Sequence, residues 1–586
     1  MKHPKIPLAQ TVIQLCKAKH INHIVISPGS RNAPLTIGFT HDDYFTCYSV
    51  VDERCAAFFA LGIAQQIQKP VAVLCSSGSA LLNYYPAISE AFYSNIPVVV
   101  LSADRPKHLI GIGDGQTINQ ENVYENHILY SANLKQDLKA ENSFVQNEEL
   151  PIFKNIENKL EKLLGLQQNI QTQNETEINE ALNIAIHKKG PVHINIPLDE
   201  PLYETVDALA VNPKVVEVIK KVNKIEELQL SNLISDWYAA KKKMVVVGVN
   251  GPNTIEQKWL DELAEDESVV VFTETTSNIH HRHFFNSIDK VIAPLDEEAF
   301  KALQPDILVT FGGLIVSKKI KAFLRKYKPK HHWHIGTEKA NDTFFCLEQH
   351  IKTTPNQFFT QFFQEVTHLT KSAYQAYWTA IKKDRKKKHT AFFENIEFSD
   401  LKAFKSVLKS IPDHTILQLS NSSTIRYAQL FPINKTLEVF CNRGTSGIDG
   451  STSTAVGCAV ANTKQTVFIT GDLSFFYDSN ALWNNYIPSH FRIIVINNQG
   501  GGIFRILPGD KNSENFDTFF ETKHQLSVKH LSDMYGFTYE SAANSEELKI
   551  ALSSFYLETG TPKILEVFTP RTINDTTLLH YFKALK

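Results

Sequence analysis

The chain is poor in the residues that mark special environments. Its 586 residues include only three Met, five Trp and seven Cys. No two cysteines form a CxxC pair, and most stand among apolar neighbours, as Cys75 does in VAVLCSS. That pattern argues against a disulfide framework and reads as reduced core thiols in a cytoplasmic protein. An excess of one charge is also missing, since 60 Lys and Arg against 62 Asp and Glu leave a formal −2. A general nucleic-acid binder needs a basic face to neutralise phosphates, so nucleic acid is not expected as a partner. No apolar run reaches the roughly 18–20 residues of a bilayer span, so no membrane span is expected. The N-terminal MKHPKIPLAQTVIQLCKAKH lacks the long apolar stretch and small-residue cleavage site of a secretory leader. Short repeats and low-complexity tracts are absent as well.

What is present is an ordinary globular balance, 43% apolar and 21% charged, over a length that calls for several cores. The recurring texture is a β-rich run ending in Gly, Ser, Asn or Asp, then a helical stretch. It runs through HIVISPGS, YFTCYSVVD, PVAVLCSSG, IPVVVLSADRP and GPVHINIP in the first third. It returns in MVVVGVNGP, VVVFTET and DILVTFGG, then in TILQLSNSS, LEVFCNRG, QTVFITGD, RIIVINNQGG and KILEVFTP. Such alternation predicts an α/β fold of three doubly wound parallel-sheet domains, at 1–200, 201–375 and 400–586, with a connector at 376–399. A polar stretch around 135–180 reads as excursion and helix. AIKKDRKKKHT (380–390) reads as a connector helix with a solvated cationic face. HHRH (280–283) and HHWH (331–334) lack the Cys or carboxylate pattern of a transition-metal site. VVVGVNGP is a degenerate nucleotide-binding turn without a full GxGxxG, and is expected to be empty.

The densest chemistry lies where two apolar runs end. TVFIT is followed by GDLSFFYDSN, and RIIVIN by NQGG, which sets Asp472 and Asn498 26 positions apart. That gap holds one crossover helix, expected over DSNALWNNYI, and the next strand. Both side chains then stand at the carboxyl ends of neighbouring strands, where open parallel sheets bind ligands. A carboxylate (Asp472), an amide oxygen (Asn498) and the backbone carbonyl of Gly500 form a hard-oxygen set suited to Mg²⁺ or Mn²⁺ with a diphosphate. Gly471 and Gly500 allow close approach of backbone to phosphate. An acidic turn followed by an unrelated Asn-Gly turn is the plainer alternative.

This pairing resembles the diphosphate motif of thiamine-diphosphate enzymes, usually GDG followed by NN or NxG, although Leu473 replaces the last Gly. One branch shares that departure: the 2-succinyl-5-enolpyruvyl-6-hydroxy-3-cyclohexene-1-carboxylate synthases of menaquinone biosynthesis. CNRGTSGIDGSTSTAVG (441–457) is similar to that branch's most particular signature. SPGSRNAPLT, DERCAAFFALG, SSGSALLNYYPAISEA and SADRP match it in the same order, while the middle third is carried mainly by GGLIVSKKI. The resemblance implies thiamine diphosphate and a divalent metal held by Asp472, Asn498 and Gly500, with Ile448, Gly471, Ser474 and Ser422 also at the cofactor. It makes 1–200 the pyrimidine-binding domain and 400–586 the diphosphate-binding one. Glu53, opening a helix after TCYSVV, becomes the carboxylate that activates the pyrimidine, a role requiring surroundings that raise its pKa. A helix-N-terminal glutamate or an Arg54 partner is its structural alternative.

The resemblance further implies decarboxylation of 2-oxoglutarate and conjugate addition of the resulting succinyl carbanion to isochorismate. Two dicarboxylates call for cations, which bind carboxylates through charge-assisted and often bidentate bonds. The matching positions are Ser30, Arg31, Arg105, Gln116, Lys318, Lys319, Ser422, Arg426 and Arg443. Many family members have Lys-Arg where this chain has Lys318–Lys319, so the fork geometry is lost there. The family pairs the N-terminal glutamate of one subunit with the diphosphate site of another, implying a homodimer or homotetramer. Rival readings are an acetolactate synthase-like 2-oxo acid carboligase and, more remotely, a non-catalytic nucleotide-binding assembly protein.

Overall fold

The computed structural model describes residues 2–138, 152–218, 224–507, 511 and 513–586, the side chains of 152–164 excepted. The chain divides into two compact units. The first comprises Met1–Lys220 with Thr452–Asn462 and Asp478–Ile487, and the second the remainder.

The first unit is built on a six-stranded parallel sheet: β1 (His23–Ile26), β2 (Thr46–Ser49), β3 (Val71–Cys75), β4 (Val98–Asp104), β5 (Tyr130–Asn133) and β6 (Val192–Pro197). Their order is β2-β1-β3-β4-β6-β5, and every neighbouring pair is parallel. β3 and β4 are buried along their whole length, as strands covered by helices on both faces must be. The core gathers Leu8, Val12, Leu74, Leu101, Ile178 and Leu182 around that sheet. Part of the polar excursion, 139–151, lies outside the described residues, and helix α2 (Ile152–Lys188) follows it. Before it, α1 (Glu53–Ile67) leads away from β2.

The second unit holds two parallel sheets. Five strands, β7 (Lys243–Val247), β8 (Val269–Thr273), β9 (Ile307–Phe311), β10 (His331–Ile335) and β11 (Gln349–Ile351), run in the order β8-β7-β9-β10-β11. Six more are β12 (Ile416–Leu419), β13 (Glu438–Cys441), β14 (Thr466–Gly471), β15 (Phe491–Asn497), β16 (Thr538–Ala542) and β17 (Lys563–Phe568). Their order, β13-β12-β14-β15-β17-β16, repeats that of the first sheet strand for strand. Both six-stranded sheets reverse direction of winding beside their first strand, and the crevice there is where doubly wound sheets take ligands.

β14 and β15 are direct neighbours, Gly471 opposite Ile496, so Asp472 and Asn498 follow adjacent strand ends. The crossover between them differs from expectation. The helix begins at Asp472 itself and ends at Tyr477 (Asp472–Tyr477), and Ser479–Leu482 is a 3₁₀ turn. Asn484 accepts from Tyr486 N at 2.9 Å, and such local side-chain bonds compete with helix in this Asn-rich stretch. HHWH makes up most of the interior strand β10, where His332 and His334 both bond Thr310 Oγ1 at 3.0 and 2.9 Å.

Candidate active site

The end of the third sheet is organised by a residue that carries no motif. Asp400 opens helix α5 (Asp400–Ser410) and is buried. Its Oδ2 accepts from Asn498 Nδ2 at 2.9 Å, while its Oδ1 accepts from Thr569 Oγ1 at 2.6 Å. With its NH₂ engaged, the Asn498 amide has one orientation left. Its Oδ1 is buried and has no hydrogen-bond partner among the described residues. A buried amide oxygen without a donor is costly unless something else meets it, and a cation does so. Burial pushes the Asp400 carboxyl up to about 6, with the neighbouring Asp472 charge adding to it.

Asp472 is buried beside this amide. Its Oδ1 accepts from Leu473 N at 2.7 Å, and its Oδ2 from Gly500 N at 3.0 Å. His524 Nε2 stands 3.3 Å from the same Oδ2. Gly500 sits at φ +153°, and a Cβ there would lie 2.6 Å from Glu521 O, so only glycine fits. Its carbonyl accepts from Gly502 N at 3.0 Å, which leaves a second lone pair for a metal. Glu521, fully buried, braces the loop from behind: its carbonyl accepts from Gly501 N at 2.6 Å and its carboxylate pairs with Arg505 and Arg571. A Cβ at Gly471 would meet no atom within 4 Å, so the strand end faces open space. The donor set, the orphaned oxygen and that space fit a divalent cation with a diphosphate. Ser474 Oγ donates to Ile448 O at 3.1 Å, tying the GTSGIDG loop to the start of the Asp472 helix.

Asn421, at the end of β12, pins that loop from the other side. Its Nδ2 donates to Asn442 O and Gly447 O, both at 2.7 Å, and its Oδ1 accepts from Arg443 Nη1 at 2.7 Å. Ser422, next in line, holds φ +65° as it caps helix α6 (Ser423–Ala428), which carries Arg426. Arg426 and Arg443 repel each other, and burial followed by that repulsion lowers the Arg426 pKa. Asp289 feels the charges of Lys319 and Arg426, so those cations share one neighbourhood. Lys321 joins it through Glu274, Arg443 and Arg426. Glu274 accepts from Val316 N and Ser317 N, both at 2.7 Å, and anchors the loop before α3 (Lys318–Lys326). Lys318 is exposed at the start of α3, and Lys319, also exposed, lies over the Phe582 ring at 5.1 Å.

In the N-terminal unit, Glu53 is the first residue of α1 and half-buried, close enough to Cys75 and Tyr84 to add to the burial that raises both. Asp52 is engaged otherwise: it caps α1 through Cys55 N at 3.1 Å and accepts from Asn480 Nδ2 at 2.8 Å. Arg31 donates to Leu198 O at 3.1 Å, and its pKa is lowered by burial and then by Arg105. Arg105 stands 3.5 Å from Asp114. Ser30 and Gln116 are exposed, Gln116 at φ +55° against the close turn of Gly78. The Nε of Arg31, Arg105, Arg426 and Arg443 is in each case buried without a partner among the described residues. Arg385 shares that feature, so its weight comes from the clustering: Arg31 with Arg105, Arg426 with Arg443.

Residue reasoning along the chain missed Asp400, Asn421, Lys321, Glu274 and His524. Asn421 had a usable signal, because SNSS ends a strand as GD and NN do. Asp400 had none, since SDLKAF reads as a capped helix and nothing more.

Comparison with known proteins agrees with this chemistry. Residues 6–125 match the N-terminal TPP-binding domain of thiamine pyrophosphate enzymes, and residues 421–567 match the C-terminal TPP-binding domain. A protein of Christiangramia forsetii named 2-succinyl-5-enolpyruvyl-6-hydroxy-3-cyclohexene-1-carboxylate synthase is 57% identical over 591 residues, covering 100% of both chains. Its namesake in Flavobacterium psychrophilum is 54% identical, again over 100% of both. That of Porphyromonas gingivalis is 35% identical over 97% of this chain and 96% of its own.

Proposed function

The chain belongs to the 2-succinyl-5-enolpyruvyl-6-hydroxy-3-cyclohexene-1-carboxylate synthase family of thiamine-diphosphate enzymes, and from that premise we propose that it decarboxylates 2-oxoglutarate, releases CO₂ and transfers the succinyl unit to isochorismate in menaquinone biosynthesis. When bound, thiamine diphosphate supplies the electron sink for decarboxylation and carbon–carbon bond formation. Asp472, Asn498 Oδ1 and the Gly500 carbonyl hold the divalent cation, Mg²⁺ or Mn²⁺, that secures the diphosphate. Ile448, Gly471, Ser474 and Ser422 shape the cofactor's seat. Glu53 holds or gives up a proton at a ring nitrogen of the bound pyrimidine. Arg31, Arg105, Lys319, Arg426 and Arg443 take the substrate carboxylates, with Ser30, Gln116, Ser422 and Lys318 at the margin.

The observation that carries this reading is the buried, donor-less Oδ1 of Asn498, aimed by Asp400 next to Asp472. The proposal extends to a homodimer or homotetramer in which Glu53 of one chain serves the diphosphate site of another. It also includes a domain division at 1–200, 201–375 and 400–586 with the connector at 376–399. A cytoplasmic location is proposed as well; five of the seven cysteines are buried, and no helix among the described residues is long and apolar enough to cross a membrane. The test is isochorismate consumption coupled to CO₂ release from 2-oxoglutarate, with and without thiamine diphosphate and Mg²⁺. Turnover dependent on both is expected. Strong turnover of pyruvate with none of 2-oxoglutarate would move the chain to a different carboligase.

A further inference from the structure

The basic stretch 380–390 lies on helix α4 (Tyr374–Phe392), and helical spacing puts Lys382, Lys386 and His389 on one face. That face is not merely solvated. It forms one wall of a cavity of about 660 Å³ whose other walls carry Lys405 and Lys409 of α5 and Lys290 from the short helix Ile288–Ile292. The floor is apolar, with Phe285, Leu408, Phe431 and Ile433 among its residues. None of the lining residues is acidic.

The neighbouring carboxylates are committed elsewhere. Asp384, on the same helix, pairs with Arg385 at 2.8 Å and Lys388 at 3.0 Å, and Asp289, beside Lys290, bonds Ser317 Oγ. The five ammonium groups therefore feel mainly one another. Burial and then Lys382 and Lys386 bring Lys290 down to about 8. Lys382 is lowered by burial and Lys386, and Lys405 by burial, Lys409 and Lys402. His389 is held neutral by burial, Lys290 and Lys405, and its Nδ1 lies 2.8 Å from Tyr581 Oη. Lys382 is partly fixed by the carbonyls of Arg282 and Phe284, at 3.1 and 2.7 Å. Surface lysines ordinarily fan apart into water; here five converge over an apolar floor in a volume typical of small-molecule sites.

We propose that this cavity binds a small organic polyanion, an apolar ring or short chain bearing two or more carboxylates or phosphates. The lysines take the charges and the Leu408–Phe431 floor takes the body. Inorganic anions would use only half of the site.

The experiment is calorimetric titration of the full chain, loaded with thiamine diphosphate and Mg²⁺, with benzenetricarboxylate and separately with inorganic triphosphate. Saturable binding of one benzenetricarboxylate per chain is expected, weakening as salt rises and exceeding that of triphosphate. The doubly exchanged K386E/K409E alters two exposed side chains, so its fold and cofactor affinity should stand. It should bind the aromatic anion at least about tenfold more weakly, because charge-assisted contacts dominate. Lys290→Met should weaken it too. No saturable binding, or binding equal in wild type and K386E/K409E, would overturn the proposal. Triphosphate binding as tightly as benzenetricarboxylate would overturn the role of the apolar floor.

Discussion

Asn498 shows how much a single amide can depend on a neighbour remote in sequence. Asp400 takes its NH₂ group, and the oxygen is left buried beside Asp472. Groups that orient metal ligands commonly alter affinity about 10–100-fold when removed. Asp400→Ala is therefore expected to weaken Mg²⁺-dependent cofactor binding by about that factor, read by titrating thiamine diphosphate against protein fluorescence. Asp400→Asn, which keeps an acceptor for Asn498, should lose less. Glu53 acts on protons rather than on binding in the proposed reading, so Glu53→Gln should lower turnover about 10²–10⁴-fold while cofactor affinity stays within a few-fold. Near-normal CO₂ release by that variant would remove the catalytic assignment. Glu274 supplies a pH signature. Burial pushes its carboxyl up to about 7, against two backbone N–H bonds and Arg443, with Asp289 adding to the rise. The folded chain then keeps a proton that the unfolded chain has released above the ordinary glutamate range. This group's contribution to stability falls as pH climbs from that range through about 7. Urea midpoints measured across the window should be flatter in Glu274→Gln than in the parent.

At the scale of elements, the strands most legible in the sequence are those buried on both faces. VVVLSAD, KMVVV and FRIIVIN are continuous apolar-rich runs because helices cover both sides, and each is a strand where expected. Tyr130–Asn133, Gln349–Ile351 and Thr538–Ala542 escaped notice, and each lies at the edge of its sheet. Edge strands bury less, so their polar residues carry no apolar run to read. His331–Ile335 was hidden differently: His332 and His334 bond Thr310 through their rings, and His331 pairs with Glu348 at 2.8 Å, so the imidazoles serve the strand's own bonding. Helix α1 depends on a contact no periodicity reveals. A Cβ on Gly62 would lie 2.1 Å from Thr454 O, and one on Gly457 the same distance from Phe59 O, so two helices of one compact unit cross backbone to backbone. Gly457→Val is expected to destabilise that unit by about 1–3 kcal/mol or more, seen as a lower urea midpoint.

For the whole molecule, the proposed pairing of Glu53 from one chain with Asp472 from another makes a prediction that single variants cannot. Glu53→Gln and Asp472→Ala should each retain only a small fraction of turnover alone. Mixed and allowed to exchange subunits, they should recover part of the parental turnover, because some hybrid sites hold both intact residues. Recovery absent despite proven exchange would place both residues within one chain. The sequence by itself determined the parallel α/β class, the strand ends that carry Asp472 and Asn498, and the residues that match the family. Local pattern suffices there, because strand periodicity, glycine turns and donor type are properties of short segments. Only the tertiary structure decided that Asp400 aims Asn498, that Asn421 holds Arg443, and that lysines from three helices converge on one apolar floor. Those depend on burial and on bonds between residues far apart along the chain, which no short segment records.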